Sequence, residues 1–197
     1  SFTIWVKFKV VSDGELSGAN VVIWTTTPWT IPSNKAVVYG ENYAYGLYEV
    51  TDTPDQCWAE KGERFLLADK LAADVFAKAR LEDGMWKRVR DVSADELSGL
   101  SLQHPLAGAE GAYGEWDDMR DFRAADFVTE EEGTGFVHCA PSHGMEEFEL
   151  YRDLGMLQQV ITYNVMDDGT FREDLPFFGG KRILREKAKK GDWEGDA

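Results

Sequence analysis

The run Val21-Val22-Ile23-Trp24-Thr25-Thr26-Thr27-Pro28 constrains this chain more than any other. Four successive large apolar residues leave no polar face, so the strand they form must be covered on both sides. Three hydroxyls follow, and Pro28 ends the ladder because it has no N–H to donate. A strand of this kind needs one layer inside it and another outside, which a curled sheet with helices packed on it supplies.

Other runs fit that architecture. Strand-like segments cover 2–11, 20–27, 35–40 and 43–50, separated by Gly, Asn, Asp and Pro, with Ser12-Asp13-Gly14 as the first turn. Phe2, Ile4, Val6, Phe8 and Val10 share one face of the first. A short strand at 64–68 precedes a helix from Asp69 to Ala79, with Leu71, Val75, Phe76 and Ala79 as its apolar stripe and Asp69 as its cap. Trp86–Val92 reads as a strand, and Ser93 caps a short helical turn to Leu97. Residues 102–119 are Gly- and Ala-rich and read as an irregular loop or insertion. Strands at 123–129 and 134–140 flank Glu130-Glu131-Glu132-Gly133, and a helix runs from Gly144 to about Leu154. A strand at 159–163, the turn Asp167-Asp168-Gly169 and a helix near 181–190 follow. The expected fold is mainly β with peripheral helices and a β-barrel core, one domain over 1–197.

Charge narrows the partners. With 36 Asp and Glu against 21 Lys and Arg, the net charge is −15, which excludes a broad basic groove for a nucleic-acid backbone or an anionic membrane surface. The 43% hydrophobic content excludes an acidic disordered tail. Two cysteines, Cys57 and Cys139, are too few for a disulfide framework and suit a reducing, cytoplasmic setting. The sequence opens Ser1-Phe2-Thr3 without Met, directly in a strand pattern, and reads as a segment of a longer polypeptide.

Two segments carry chemistry. In the first, Thr25, Thr26 and Thr27 stand at a strand end between Trp24 and Trp29, with Pro28 and Pro32 stiffening the exit toward Asn34. In the second, Gly133-Thr134-Gly135-Phe136-Val137-His138-Cys139-Ala140-Pro141-Ser142-His143-Gly144, alternation puts Thr134, Phe136 and His138 on one face and Val137 and Cys139 on the other. Helical phase then aligns Glu147 with Leu150, Tyr151 and Leu154, turning its carboxylate inward at a helix N-terminus, while Glu146 and Glu149 face outward. His138, His143 and Glu147 are close enough in sequence to raise a metal-dependent hydrolase as an alternative. Against it, His138 and Cys139 point to opposite faces, and neither Cys-x-x-Cys nor His-Glu-x-x-His occurs. A serine hydrolase lacks its Gly-x-Ser-x-Gly elbow. A non-catalytic binding module is the other alternative, one for which the resemblance described next implies tRNA or a free amino acid as the ligand.

The two segments together resemble the editing domain of isoleucyl-tRNA synthetases, the large insertion in that class I catalytic domain. The likeness rests on Trp24 through Asn34 and Gly133 through Gly144, on their order and on their separation. Valyl and leucyl relatives carry Thr-Thr-Arg-Pro at the first motif, and Thr27 here stands in place of that Arg. The resemblance implies the fold shared by valyl, isoleucyl and leucyl editing domains and hydrolysis of valine mischarged onto isoleucine tRNA, with no metal and no cofactor. A pocket built for isoleucine excludes valine poorly, because one missing methylene costs little binding, and isoleucine against valine is the standard instance of that problem. The implied partners are the 3′ end of aminoacylated isoleucine tRNA, misactivated valine (as valyl-adenylate too) and the remainder of a parent synthetase. Carried over, Thr25, Thr26 and Thr27 line the site, Trp24 and Trp29 wall it with Thr30 nearby, and Asn34 orients the substrate. His138 contacts the valyl group and helps exclude isoleucine. The family has Asp nine residues after that His to grip the α-ammonium group; Glu147 stands there in this chain.

Overall fold

The computed structural model describes residues 3–183, 185–186 and 193–194. It is mainly β. Strands β1 (Ile4–Val10), β2 (Asn20–Thr25), β3 (Ala36–Tyr39), β4 (Tyr45–Val50), β5 (Arg64–Ala68), β6 (Trp86–Val92), β7 (Ser101–Gln103), β8 (Arg120–Ala124) and β9 (Phe136–Cys139) form one sheet in the order β6-β4-β5-β2-β1-β7-β8-β3-β9. The terminal strand β9 comes back to within 8 Å of β2, Cα to Cα. The six strands from β2 to β9 in that order therefore curl into a barrel. The flanking helices are α1 (Asp69–Lys78), α2 (Ala94–Ser98), α3 (Met145–Asp153) and α4 (Leu157–Val160).

The two-sided apolar run is buried as its composition requires. Val21 and Ile23 face the barrel interior with Phe8, Val10, Val37, Tyr39, Leu66 and Phe136. Val22 faces the other way, under Val75 and Phe76 of α1. A third cluster packs Ala36, Val38 and Cys139 against Tyr151 of α3 and Val160 of α4. Removing such side chains from water is the main stabilising term.

Several local expectations change. Asp69 is not the cap of α1: Ala68 holds that position, and the Asp69 N–H is already bonded to Ala44 O at 2.9 Å. Strand β5 runs straight into α1, so the Asp69 carboxylate turns sideways, accepting from Tyr48 Oη at 2.6 Å and from Arg88 Nη2 at 2.7 Å. Ser93 does cap α2, in a reciprocal capping box with Glu96. The strand expected at 123–129 lies earlier, at Arg120–Ala124, because its parallel partner β3 offers only the four positions Ala36–Tyr39. The strand expected at 159–163 is replaced at its start by α4, where Val160 packs with Tyr151, Met156 and Leu157. The helix near 181–190 is contradicted too: Arg182 bridges Thr170, and β10 (Arg185–Glu186) pairs antiparallel with β11 (Trp193–Glu194). Residues 184 and 187–190 of that expected helix, like residue 2 of the strand expected over 2–11, lie outside the described residues.

The irregular stretch expected at 102–119 starts two residues later, because Leu102 and Gln103 belong to β7 alongside β1 and β8, and it is no mere insertion. Ala112 and Trp116 are buried with Phe171 and Leu175 in a fourth cluster. Trp116 Nε1 donates to Pro32 O at 2.9 Å, and His104 Nε2 meets Ile31 O at the same distance. Burial pushes the His104 imidazole down to about 3, so it braces this turn as a neutral ring. Among the described residues, no helix is long and apolar enough to cross a membrane.

One glycine lets the segment before β9 pack against the end of β5. Gly135 has φ +83° and lies against Ala68, whose N–H donates to Thr134 O at 3.0 Å. A Cβ there would overlap the Ala68 methyl. Gly135→Ala is expected to lower stability by more than about 2 kcal/mol, read as a shift in the denaturant midpoint, because backbone strain and overlap add at one position.

Candidate functional site

The two chemistry-bearing segments meet where β2 and β9 end. After Thr25 the chain turns through a 3-10 helix, Pro28–Ser33, whose first residue lacks the N–H that a ladder would need. After Cys139 it turns at Pro141–Gly144 and enters α3, with Gly144 as the N-cap. Between them lies a cavity of about 180 Å3, lined by Trp24, Thr25, Thr27, Thr30, Val137, His138, Ala140, His143, Gly144 and Glu147.

His138 is held at both ring nitrogens. Thr30 Oγ1 lies 2.8 Å from Nε2, and Asn34 Nδ2 lies 2.8 Å from Nδ1. Asn34 Nδ2 also donates to Ala36 O at 2.7 Å, and a carbonyl can only accept, so the orientation of the amide follows. Asn34 therefore donates to Nδ1, and the Nε2–H donates to Thr30, whose hydroxyl passes on to Thr27 O at 2.9 Å. Burial, reinforced by the nearby His143, pulls the His138 pKa down to about 4. At neutral pH it is an uncharged imidazole with both nitrogens engaged, and it has no lone pair left for a metal ion. Among the described residues no three His, Cys, Asp or Glu side chains converge as ligands.

Glu147 reaches the cavity as the helical phase requires, half-buried, while Glu146 and Glu149 are exposed. Its carboxylate folds back over Gly144, where any Cβ would overlap it. Burial, with the like charge of Glu146 adding, raises its pKa above the usual glutamate value, opposed by its own backbone N–H. Among the described residues it has no ion-pair partner. An anionic group in a small pocket without a cation is an unmet electrostatic demand.

The expected residues divide. Trp24, Thr25, Thr27, Thr30, His138 and Glu147 line the cavity; Thr26, Trp29 and Asn34 do not. Thr26 faces solvent in the bend after β2, where Thr25 Oγ1 accepts the Thr27 N–H at 3.1 Å and lies 3.2 Å from the Thr27 hydroxyl. Trp29 stands behind the wall, edge-on to His143 with ring centroids 5.0 Å apart. Asn34, 1% exposed, sits behind His138 and holds its ring. From the sequence alone His143 is a candidate only as a metal ligand. It lines the cavity and bonds Ser33 Oγ through Nε2 at 3.1 Å. Its place in the same strand-to-helix turn as His138 and Glu147 was the available signal.

No family model matches the chain. It is 71% identical over 192 residues to an isoleucine--tRNA ligase of Ruegeria pomeroyi, covering 98% of this chain and 20% of that protein. The corresponding ligase of Bradyrhizobium diazoefficiens is 44% identical over 197 residues, covering 96% and 19%. The chain thus spans about a fifth of the length of the relatives it matches. Among solved structures, GlLeuRS-CP1 superposes with a TM-score of 0.57 at 15% identity, covering 81% of this chain and 64% of that one. The cytosolic leucyl-tRNA synthetase editing domain of P. knowlesi gives 0.53 at 11%, covering 84% and 67%. By sequence, then, the chain is homologous to one segment of the isoleucine--tRNA ligases, and by fold it belongs with the editing domains of leucyl-tRNA synthetases.

Proposed function

We propose that this chain is the editing domain of an isoleucine--tRNA ligase and hydrolyses the ester of valine mischarged onto isoleucine tRNA. The observation that carries this reading is the joining of Glu147, a carboxylate without a cation partner among the described residues, to the hydroxyls of Thr25 and Thr27 and the neutral ring of His138 in one small cavity. An α-amino acid ester presents an ammonium group for the carboxylate and a short side chain for the walls of Trp24, Val137 and His138. Water adds to the ester carbon, the bond to the ribose oxygen breaks, and a proton of that water ends on the ribose. The neighbouring ribose hydroxyl already activates this ester, so positioning accounts for much of the rate. No covalent enzyme intermediate is required.

The net charge of −15 shapes how substrate arrives. Such a domain holds no tRNA body by phosphate contacts. It receives the single-stranded 3′ end, delivered by the remainder of the parent synthetase in the cytoplasm. A metal-dependent hydrolase is disfavoured by the full engagement of His138 with Asn34 and Thr30. A binding module without turnover is the outcome that a deacylation assay would reveal.

Tests belong in a full-length ligase carrying this segment. Wild type is expected to release valine from valyl-tRNA and leave isoleucyl-tRNA intact; loss of neither ester would defeat the reading. His138→Ala removes wall and opens the cavity, so hydrolysis of isoleucyl-tRNA is expected to appear; undiminished discrimination would take His138 out of the sieve. Glu147→Ala is expected to lower kcat/KM for valyl-tRNA by roughly 10- to 100-fold, the worth of a hydrogen bond to a charged group, while Glu146→Ala is silent. Because burial raises the Glu147 pKa, kcat/KM is expected to fall with decreasing pH at a point above the usual glutamate value. Glu147→Gln abolishes that acid limb. His138, near 4, contributes no limb in the ordinary histidine range.

A further inference from the structure

The donors of the cavity are mostly committed. The Nε2–H of His138 goes to Thr30, and the Thr30 hydroxyl goes to Thr27 O. Thr25 and Thr27 bond each other, and Thr25 Oγ1 also accepts the Thr27 N–H, so that pair leaves one hydroxyl hydrogen free. His143 is different: Nε2 has Ser33 as its partner, and Nδ1 has none among the described residues.

Which nitrogen of His143 carries the proton is decided outside the cavity. Arg172 Nε donates to Asn164 Oδ1 at 2.9 Å, and Arg172 is itself pinned by Glu115 and Asp174. That turns Asn164 Nδ2 toward Pro32 O at 3.3 Å and Ser33 Oγ at 3.1 Å, so Ser33 accepts from Asn164. Ser33 is 1% exposed, and among the described residues its side chain bonds only Asn164 and His143. Its hydroxyl hydrogen has nowhere to go but His143 Nε2, since a buried donor left unpaired is costly. Nε2 is thus an acceptor, and the proton sits on Nδ1. Burial also keeps the ring below the usual histidine range, hence neutral at neutral pH.

We propose that His143, held in the Nδ1–H form by the Arg172–Asn164–Ser33 chain, donates a hydrogen bond to the carbonyl oxygen of the aminoacyl ester. The proposal rests on the ester-hydrolase reading above and assigns that site its oxyanion donor. When water oxygen bonds to the ester carbon, the C=O pair moves onto the carbonyl oxygen, where the Nδ1–H meets it. The pair returns as the carbon–ribose oxygen bond breaks, and one proton of the water ends on the ribose while the other stays on the acid. His143 neither gains nor loses a proton in the cycle. It acts where charge develops. Ser33, Asn164 and Arg172 are positioning residues.

In a full-length ligase carrying this segment, His143→Gln, whose amide lies nearer the Nε2 position, is expected to lower kcat for valyl-tRNA by about 10²-fold with KM little changed. His143→Asn, whose amide nitrogen can occupy the Nδ1 position, recovers most of that loss, which separates a missing donor from a collapsed fold. Nitrogen NMR of the imidazole in the 197-residue chain is expected to show the Nδ1–H form, and Asn164→Leu to mix the two tautomers and lower kcat without raising KM. A ring protonated at Nε2, or an active wild type whose kcat survives His143→Gln, overturns the proposal. A wild type that leaves valyl-tRNA intact defeats instead the hydrolase reading on which it stands.

Discussion

One imidazole ties this molecule together. His138 is bonded at Nδ1 to Asn34, 104 residues earlier, and at Nε2 to Thr30, 108 residues earlier. Those bonds join the turn after β2 to the end of β9, two strands on which closure of the barrel depends. A neutral ring is needed for both, because Nδ1 must accept from Asn34. Burial supplies that neutrality, so the packing that closes the barrel also sets the protonation state of the site.

Support for the cavity comes from parts that read as filler. The loop at 104–119 anchors the 3-10 turn through Trp116 and His104, each bonded to a carbonyl within Ile31–Pro32. Asn164, oriented by Arg172, reaches the same turn from the segment after α4. The hydroxyl-bearing turn is thereby held by two other segments, with the Ile31 and Pro32 carbonyls bonded by side chains rather than by a sheet. That is the arrangement expected of a site whose geometry must hold while its own ladder has ended.

Electrostatically the chain is acidic as a whole and specific in one place. Most carboxylates are solvated or paired on the surface, where each pair contributes little. Glu147 is the contrasting case, half-buried beside Gly144 with a raised pKa and no cation among its described neighbours. Overall acidity opposes contact with any polyanion, whereas this half-buried carboxylate is the acidic side chain in the lining of the cavity.

Much of this was legible in the residues. The two-sided burial of Val21–Trp24, the capping box at Ser93 and the inward phase of Glu147 follow from local pattern, since side-chain direction along a strand or helix is periodic. The failures were of another kind. The strand ends at Ala124, the helical start at Leu157 and the pairing of Arg185–Glu186 with Trp193–Glu194 are set by which partner lies alongside, and no local window contains that partner. The same limit held in the site. Sequence determined which residue types stand at the ends of β2 and β9, and hence that hydroxyls, imidazoles and a carboxylate would be available. Only the tertiary structure decided that Asn34 and Trp29 stand behind the wall, that Thr26 faces water and that His143 enters the cavity, because these are matters of closure between segments about a hundred residues apart.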